Sequence, residues 1–152
     1  AVTIDAGHPT DVHPPEKRPV GDRLARWALA NTYGRPTAPS GPLFSAASLA
    51  GDQASVAFLH ATGLATRDGL APIGFEVAGA DGAWRPADAR IVRDKVEVRC
   101  DRIASIRAVR YGWAPFPNPP LNLINREGLP ASPFSTANEY EERPWIHREL
   151  RN

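Results

Sequence analysis

Hydrophobic residues follow two different periods along the chain, and the change falls near residue 42. Between residues 16 and 33 a stripe of mainly apolar residues recurs at i, i+4, i+7, i+8 and i+11, at Val20, Leu24, Trp27, Ala28 and Asn31. This period is that of an amphipathic α-helix. The sequence therefore predicts one helix that begins at Glu16 or Pro19 and ends at Tyr33.

Residues at both ends of this segment favour the same helix. Pro19 is tolerated in a first turn, where its missing N–H has no intrahelical partner in any case. Gly34 suits the position after the last turn, and Pro36 prevents the helix from continuing. Upstream, the β-branched residues of Ala1–Ile4 predict a short strand, and the Gly- and Pro-containing residues 6–15 predict a loop.

After a Pro-rich connector at residues 35–42, hydrophobic residues alternate with polar ones. Turn residues such as Gly51-Asp52 and Asp68-Gly69 separate the alternating runs. Short strands at this spacing are typical of an antiparallel sandwich or a small barrel. The predicted strands are Leu43–Ala50, Gln53–His60, Ile73–Ala78, Trp84–Ala87, Lys95–Arg99 and Ala108–Tyr111.

Composition narrows the classes of function. The formal net charge of the 152 residues is +1, so there is no electrostatic reason to expect nucleic acid or an acidic membrane as a partner. No apolar run approaches the roughly 18–20 residues that cross a bilayer. Cys100 is the single cysteine, which excludes an internal disulfide and a cysteine-ligated metal site. The sequence contains no methionine, and we expect the chain to be a C-terminal piece of a longer protein.

His13 is the strongest candidate for chemistry. It stands in the loop between the predicted strand and helix, and an imidazole can accept and return a proton near neutral pH. Asp11, two residues earlier, could hold the ring in one tautomer. Alternatively, His13 is a structural loop residue, or His8, Asp11 and His13 bind a divalent metal ion together.

Other candidate residues have simpler explanations. His60 and His147 are expected to be surface or structural residues, and residues 137–152 form a polar tail. Trp84, Trp113 and Phe116 could stack on sugar rings, although such aromatic residues more often belong to a sandwich core or anchor a loop.

One block made of three short pieces, and three later segments, resemble one enzyme family in the same order. Asp5-Ala6-Gly7, Thr10–Pro14 and Val20–Ala25 are similar to the histidine block of SGNH (GDSL-like) carbohydrate esterases. Gly74–Gly82, Val109–Trp113 and Asn122–Phe134 are similar to the C-terminal region of sialate O-acetylesterases. The likeness covers roughly residues 1–136.

The resemblance implies a fold of the α/β plus all-β class. Residues 1–38 would be the C-terminal strand, loop and helix of an SGNH three-layer α/β hydrolase domain. Residues 39–136 would be an antiparallel β-sandwich-like module, followed by the tail at 137–152. Without the rest of the hydrolase domain, the apolar stripe of the helix would pack on the β module or stay partly exposed.

The resemblance also implies a serine esterase that removes O-acetyl groups from sugars. His13 maps onto the general base of the family. The acid of the wider superfamily usually stands three residues before the histidine, where this chain has Thr10, so the acid is either Asp11 or a residue elsewhere. The Gly-Gln-Ser-Asn-like block that carries the nucleophile is absent, and this chain alone is expected to be inactive.

The implied partners are an O-acetylated carbohydrate and the missing N-terminal catalytic half, with no metal or organic cofactor. A periplasmic or extracellular location is compatible with the family. The competing interpretation is a non-catalytic β-sandwich module that binds carbohydrate or a partner domain.

Overall fold

The chain forms one helix followed by ten strands within residues 1–11, 13 and 15–137, which the computed structural model describes. The tail predicted for residues 137–152, including His147, lies outside these residues apart from Ala137. None of the described residues form a helix long and apolar enough to cross a lipid bilayer. The elements are α1 (Arg18–Asn31), β1 (Leu43–Ala50), β2 (Gln53–Leu59), β3 (Ala65–Thr66), β4 (Phe75–Ala78), β5 (Trp84–Pro86), β6 (Asp88–Val92), β7 (Lys95–Arg99), β8 (Ala108–Tyr111), β9 (Leu123–Ile124) and β10 (Phe134–Ser135).

Two four-stranded antiparallel sheets form the body of the β module. The first has the strand order β1-β2-β7-β6 and the second the order β10-β8-β4-β5. Strands β3 and β9 form a separate antiparallel pair. The predicted antiparallel, β-rich module is therefore confirmed, although β3, β6, β9 and β10 were not among the predicted strands.

The hydrophobic core lies between the two sheets. In β2 and β7 the buried residues alternate with more exposed ones, so one face of each of these strands enters a common cluster, to which β4 and β8 also contribute. Val56, Val96 and Val98 enter it from the first sheet. The second sheet contributes aromatic rings, and Phe134 stacks on Phe44 with ring centroids 4.5 Å apart. This cluster gives the β module a core of its own.

Two buried asparagines tie the long connections to the sheets. Asn125 Nδ2 donates to the carbonyl oxygens of Ser40 and His60, at 3.0 and 3.1 Å. Its Oδ1 accepts the N–H of Leu129 at 3.0 Å. Asn122 likewise accepts from the N–H of Ile73 and donates to the carbonyl of Ala71. The segment Asn122–Phe134 thus supplies hydrogen-bond partners to backbone groups of the connections before β1, after β2 and before β4. Buried backbone groups need such partners.

Helix α1 lies on the surface and has no buried residue. Of the predicted apolar stripe, Val20 and Trp27 are half-buried, whereas Leu24 is 55% exposed, so the stripe stays partly uncovered, one of the two expected outcomes. Pro19 lies in the first turn, as predicted. At the other end Gly34 has a φ of +61°, and the Arg35 N–H bonds to the carbonyl of Leu29 at 2.9 Å.

The strand predicted at Ala1–Ile4 does not form. Residues 1–3 have no regular secondary structure and a turn begins at Ile4, with the Ala6 N–H bonded to the Thr3 carbonyl at 3.0 Å. A strand needs a neighbour to accept and donate backbone hydrogen bonds, and no described strand lies beside this segment. The prediction was wrong because β-branched residues supply propensity alone, and none of the described strands pairs with this segment.

Candidate active site

The loop that carries His13 projects into solvent. Every described residue from Gly7 to Lys17 is exposed, including both site residues predicted from the sequence, Asp11 and His13. Asp11 Oδ1 accepts the backbone N–H of His13 at 2.8 Å. This is a local side-chain-to-backbone turn of the kind that aspartate favours.

The carboxylate of Asp11 therefore acts on the backbone of His13. Within the described part of the chain, no side chain is hydrogen-bonded to the His13 ring. An exposed imidazole can exchange a proton with a group brought to it from outside this chain. The loop therefore presents an exposed imidazole to solvent.

The structure does not assemble the alternative metal site. His8 Nδ1 lies 3.3 Å from the Thr10 backbone nitrogen, within its own short turn. Among the described residues no three histidine, cysteine, aspartate or glutamate side chains are grouped so as to hold a metal ion. His8, Asp11 and His13 thus share a loop but not a coordination sphere.

The base of the loop is fastened by an ion-pair cluster centred on Asp5. Arg23 of α1 donates two hydrogen bonds to the two oxygens of the Asp5 carboxylate, at 2.6 and 2.9 Å. Arg67, from the β module, bonds the same carboxylate at 3.1 Å. Arg23 also donates to the carbonyl oxygen of Val2 at 2.7 Å. Asp5 therefore joins the N-terminal segment, the helix and the β module at one point.

This carboxylate stays ionised although it is largely covered. Burial alone would raise the pKa of Asp5, but the hydrogen bonds from Arg23 and Arg67 outweigh that effect and hold its pKa below the ordinary range. The side chains of Asp5 and Arg23 are each only 14% exposed. A bidentate pair of this kind fixes direction as well as distance.

The other side of the loop base rests on residues 112–116 of the β module. A methyl group added at Gly7 would lie 3.9 Å from the Phe116 ring. One added at Gly112 would lie 3.1 Å from Ile4 Cδ1. The N-terminal segment is thus held between helix α1 and the loop that follows β8.

His60 and Trp84, two other candidates from the sequence, pack against neighbouring side chains. His60 is exposed with a φ of +55°, and its ring meets Trp27 of α1 edge to face at 6.3 Å. The guanidinium of Arg110 lies over the Trp84 ring, 4.2 Å from the ring centroid. One face of Trp84 is therefore already occupied, whereas Trp113 and Phe116 are each 44% exposed.

The sequence analysis missed the Asp5 cluster. Arg23 lies off the apolar stripe of Val20, Leu24 and Trp27, so the helical period alone would place it towards solvent. Arg23 lies 18 residues after Asp5 in the sequence, and Arg67 lies 62 residues after it. Only the fold brings these three residues together, although a carboxylate just after an apolar run was visible in the sequence.

A solved structure is similar to most of the chain. It is the crystal structure of a novel carbohydrate acetylesterase from Xanthomonas citri, 48% identical in sequence, with a TM-score of 0.83. The match covers 89% of this chain and 31% of that protein, so the chain spans about a third of the esterase's length. No protein-family model matches the sequence, and no curated protein matches it. The chain is similar in sequence and in fold to part of a carbohydrate acetylesterase.

Proposed function

We propose that this chain is the C-terminal part of a serine carbohydrate esterase that removes O-acetyl groups from sugars. The observation that carries the proposal is the 48% identity over 89% of the chain to a carbohydrate acetylesterase. The resemblance of the histidine block and of the three later segments adds the finer assignment, a sialate O-acetylesterase-like enzyme of SGNH type. On this proposal residues 1–38 complete the hydrolase domain and residues 39–136 form the module that follows it.

In the proposed reaction His13 is the general base. A serine from outside this chain attacks the acetyl carbonyl carbon, and the His13 imidazole takes the serine proton. The imidazolium returns that proton to the sugar oxygen as the ester bond breaks, which leaves an acetyl-enzyme. Water then attacks the acetyl group with His13 again as base, and acetate and serine are released. On this proposal the serine lies outside residues 1–152, and the chain by itself is inactive.

Asp11 is proposed as a positioning residue. Its carboxylate accepts the His13 backbone N–H, so it fixes the point from which the imidazole extends. A triad acid would instead accept the ring N–H. These two roles differ in the size of effect expected from an isosteric replacement.

The test is acetyl release from an O-acetylated oligosaccharide by the full-length protein. We expect His13→Ala to lower kcat by about 10³-fold or more, because the base is lost. His8→Ala is the matched control, since His8 lies in the same exposed loop, and its kcat should stay within about threefold of wild type. Comparable losses in both variants, or near-normal activity in His13→Ala, would contradict the assignment.

Asp11→Asn separates the two roles of the carboxylate. The amide keeps an oxygen that can accept the His13 N–H, so a positioning role predicts a loss of about tenfold or less. A triad acid predicts a loss of about 10⁴-fold, because the wrong tautomer is then held.

A further inference from the structure

An open groove is lined by β4 and β8 of the second sheet and by residues 86–89, where β5 leads into β6 of the first sheet. Its volume is about 650 Å³, and it lies between strands β4 and β8 and the segment 113–121. Glu76 and Arg110 alternate with the buried residues of their strands, so their side chains point away from the core. A groove of this size accommodates a ligand of small-molecule dimensions.

The floor of the groove is a fixed ion pair. Glu76 and Arg110 face each other across β4 and β8, and Arg110 Nε donates to Glu76 Oε2 at 2.8 Å. Their side chains are only 29% and 15% exposed. Arg110 is held from its other side by the Trp84 ring. Because both partners are restrained, the carboxylate presents an acceptor at a defined position in the groove.

One wall of the groove carries an exposed aromatic ring. Trp113 lines it and is 44% exposed. The preceding residue, Gly112, has a φ of +66°, and a Cβ there would lie 2.9 Å from Leu121 Cδ1. The backbone before Trp113 is therefore closely packed, which fixes where the indole begins. An indole face with a nearby hydrogen-bond acceptor suits a pyranose, which has apolar C–H faces and hydroxyl donors.

The charges of the groove favour an uncharged ligand. The described ionisable residues that line it are Glu76, Asp88 and Arg110, two carboxylates and one guanidinium. Arg110 is paired with Glu76, so the carboxylate of Asp88 has no compensating charge among these lining residues. An acidic sugar would be repelled, since like charges brought together discriminate against a ligand.

The groove adjoins the base of the histidine loop. Trp113 and Phe116 belong to the same segment, and Phe116 lies beside Gly7. We propose that this groove binds a neutral stretch of a glycan chain, with Trp113 stacked on a sugar ring and Glu76 accepting from a hydroxyl. The binding stands on the groove alone. That this neutral stretch belongs to the substrate of the esterase, with the acetylated sugar itself outside the groove, rests on the proposed function.

The test is binding of the full-length protein to soluble polysaccharides by affinity electrophoresis. The neutral probes are β-glucan, arabinoxylan and glucomannan, and the acidic probes are polygalacturonate and polysialic acid. We expect retardation by at least one neutral probe and by neither acidic one. Trp113→Ala should weaken the dissociation constant at least tenfold, whereas Trp113→Phe, which keeps a stacking face, should stay within about threefold.

Two controls make the result decisive. Tyr33→Ala removes another exposed aromatic ring, 69% exposed on the surface after α1, and should bind like wild type. His13→Ala should abolish ester hydrolysis and leave binding of these unacetylated probes unchanged. Binding that survives Trp113→Ala, no retardation by any neutral probe, or stronger retardation by acidic probes would each overturn the proposal. If His13→Ala stays active while Trp113→Ala loses binding, the groove stands and the esterase assignment fails.

Discussion

The N-terminal segment with helix α1 and the β module are held in different ways. The β module encloses a continuous cluster of apolar side chains between two sheets. Helix α1 buries no residue completely, and it is held through Arg23 and Trp27 at a few polar and aromatic contacts. The β module is stabilised by burial of apolar surface, which is spread over many residues. The N-terminal segment and helix α1 are stabilised by specific contacts that single substitutions can remove.

The largest difference in unfolding free energy between the two regions is expected when an aromatic ring is removed from the core of the β module. Phe134 is 8% exposed, and its ring meets those of Phe44, Phe58, Phe75 and Tyr111. We expect Phe134→Ala to lower the free energy of unfolding by about 3–5 kcal/mol, because it loses burial and leaves a cavity. Leu24→Ala, on the exposed stripe of the helix, should change it by less than about 0.5 kcal/mol. Chemical denaturation measures both, and equal losses would contradict the contrast.

A smaller loss is expected where polar contacts close the β module. Asn125→Ala leaves the carbonyls of Ser40 and His60 and the N–H of Leu129 without their partner. Each buried group left unpaired costs about 1–3 kcal/mol, and partial hydration should limit the total to about 2–4 kcal/mol. Asn31→Ala, at the exposed end of α1, is the matched control and should be close to neutral. A neutral Asn125→Ala would show that water replaces the amide.

The weakest of the three effects should be confined to the N-terminal region and depend on pH. Asp5→Asn removes the charge that Arg23 and Arg67 contact, and we expect a loss of about 1–2 kcal/mol in the local stability of α1 at pH 7. The folded pKa of Asp5 is lowered, so its contribution is present above the ordinary aspartate pKa of about 3.9 and is lost as the pH falls through the lower folded pKa.

Hydrogen exchange of the α1 amides measures this contribution at each pH. Wild type and Asp5→Asn should differ at pH 7 and converge in acid, while the β-module amides stay protected in both. Asp22→Asn is the control, because its pair with Arg18 at 3.6 Å joins two exposed side chains. A difference between wild type and Asp5→Asn that persists unchanged into acid would contradict the role given to the Asp5 charge.

The sequence alone was sufficient to predict elements whose position depends on residues close to one another in the chain. The helical period, Pro19 and Gly34 located α1 within about two residues at each end, and alternation located the strands β1, β2, β7 and β8. Strand β6 was missed because its turn to β7 runs through Arg93, which adopts a φ of +60° without a glycine or asparagine to signal it. Strands β3, β9 and β10 have two residues each, too few to show a period.

In the candidate site, too, only the features that depend on neighbouring residues in the sequence could be predicted. His13 and Asp11 could be selected from residue type and spacing, and their catalytic roles stay predictions until the variants are measured. The cluster at Asp5 and the groove at Trp113 could not be predicted, because each joins residues far apart in sequence. Trp113 was noted as an aromatic residue that could meet sugar, but its acceptor neighbour Glu76 is 37 positions away.

The close approach of Gly41 to the Pro130 carbonyl bears on how the molecule can be divided. A Cβ at Gly41 would collide with that backbone oxygen, Ser40 accepts from Asn125, and the Pro42 carbonyl accepts the Ser132 N–H at 2.9 Å. Residues 40–42 precede the first strand, yet they are buried parts of the β module. Cleavage of the chain at residues 35–38 would therefore leave Ser40, Gly41 and Pro42 in place in the β module. Cleavage just before Leu43 would remove these three buried residues from it.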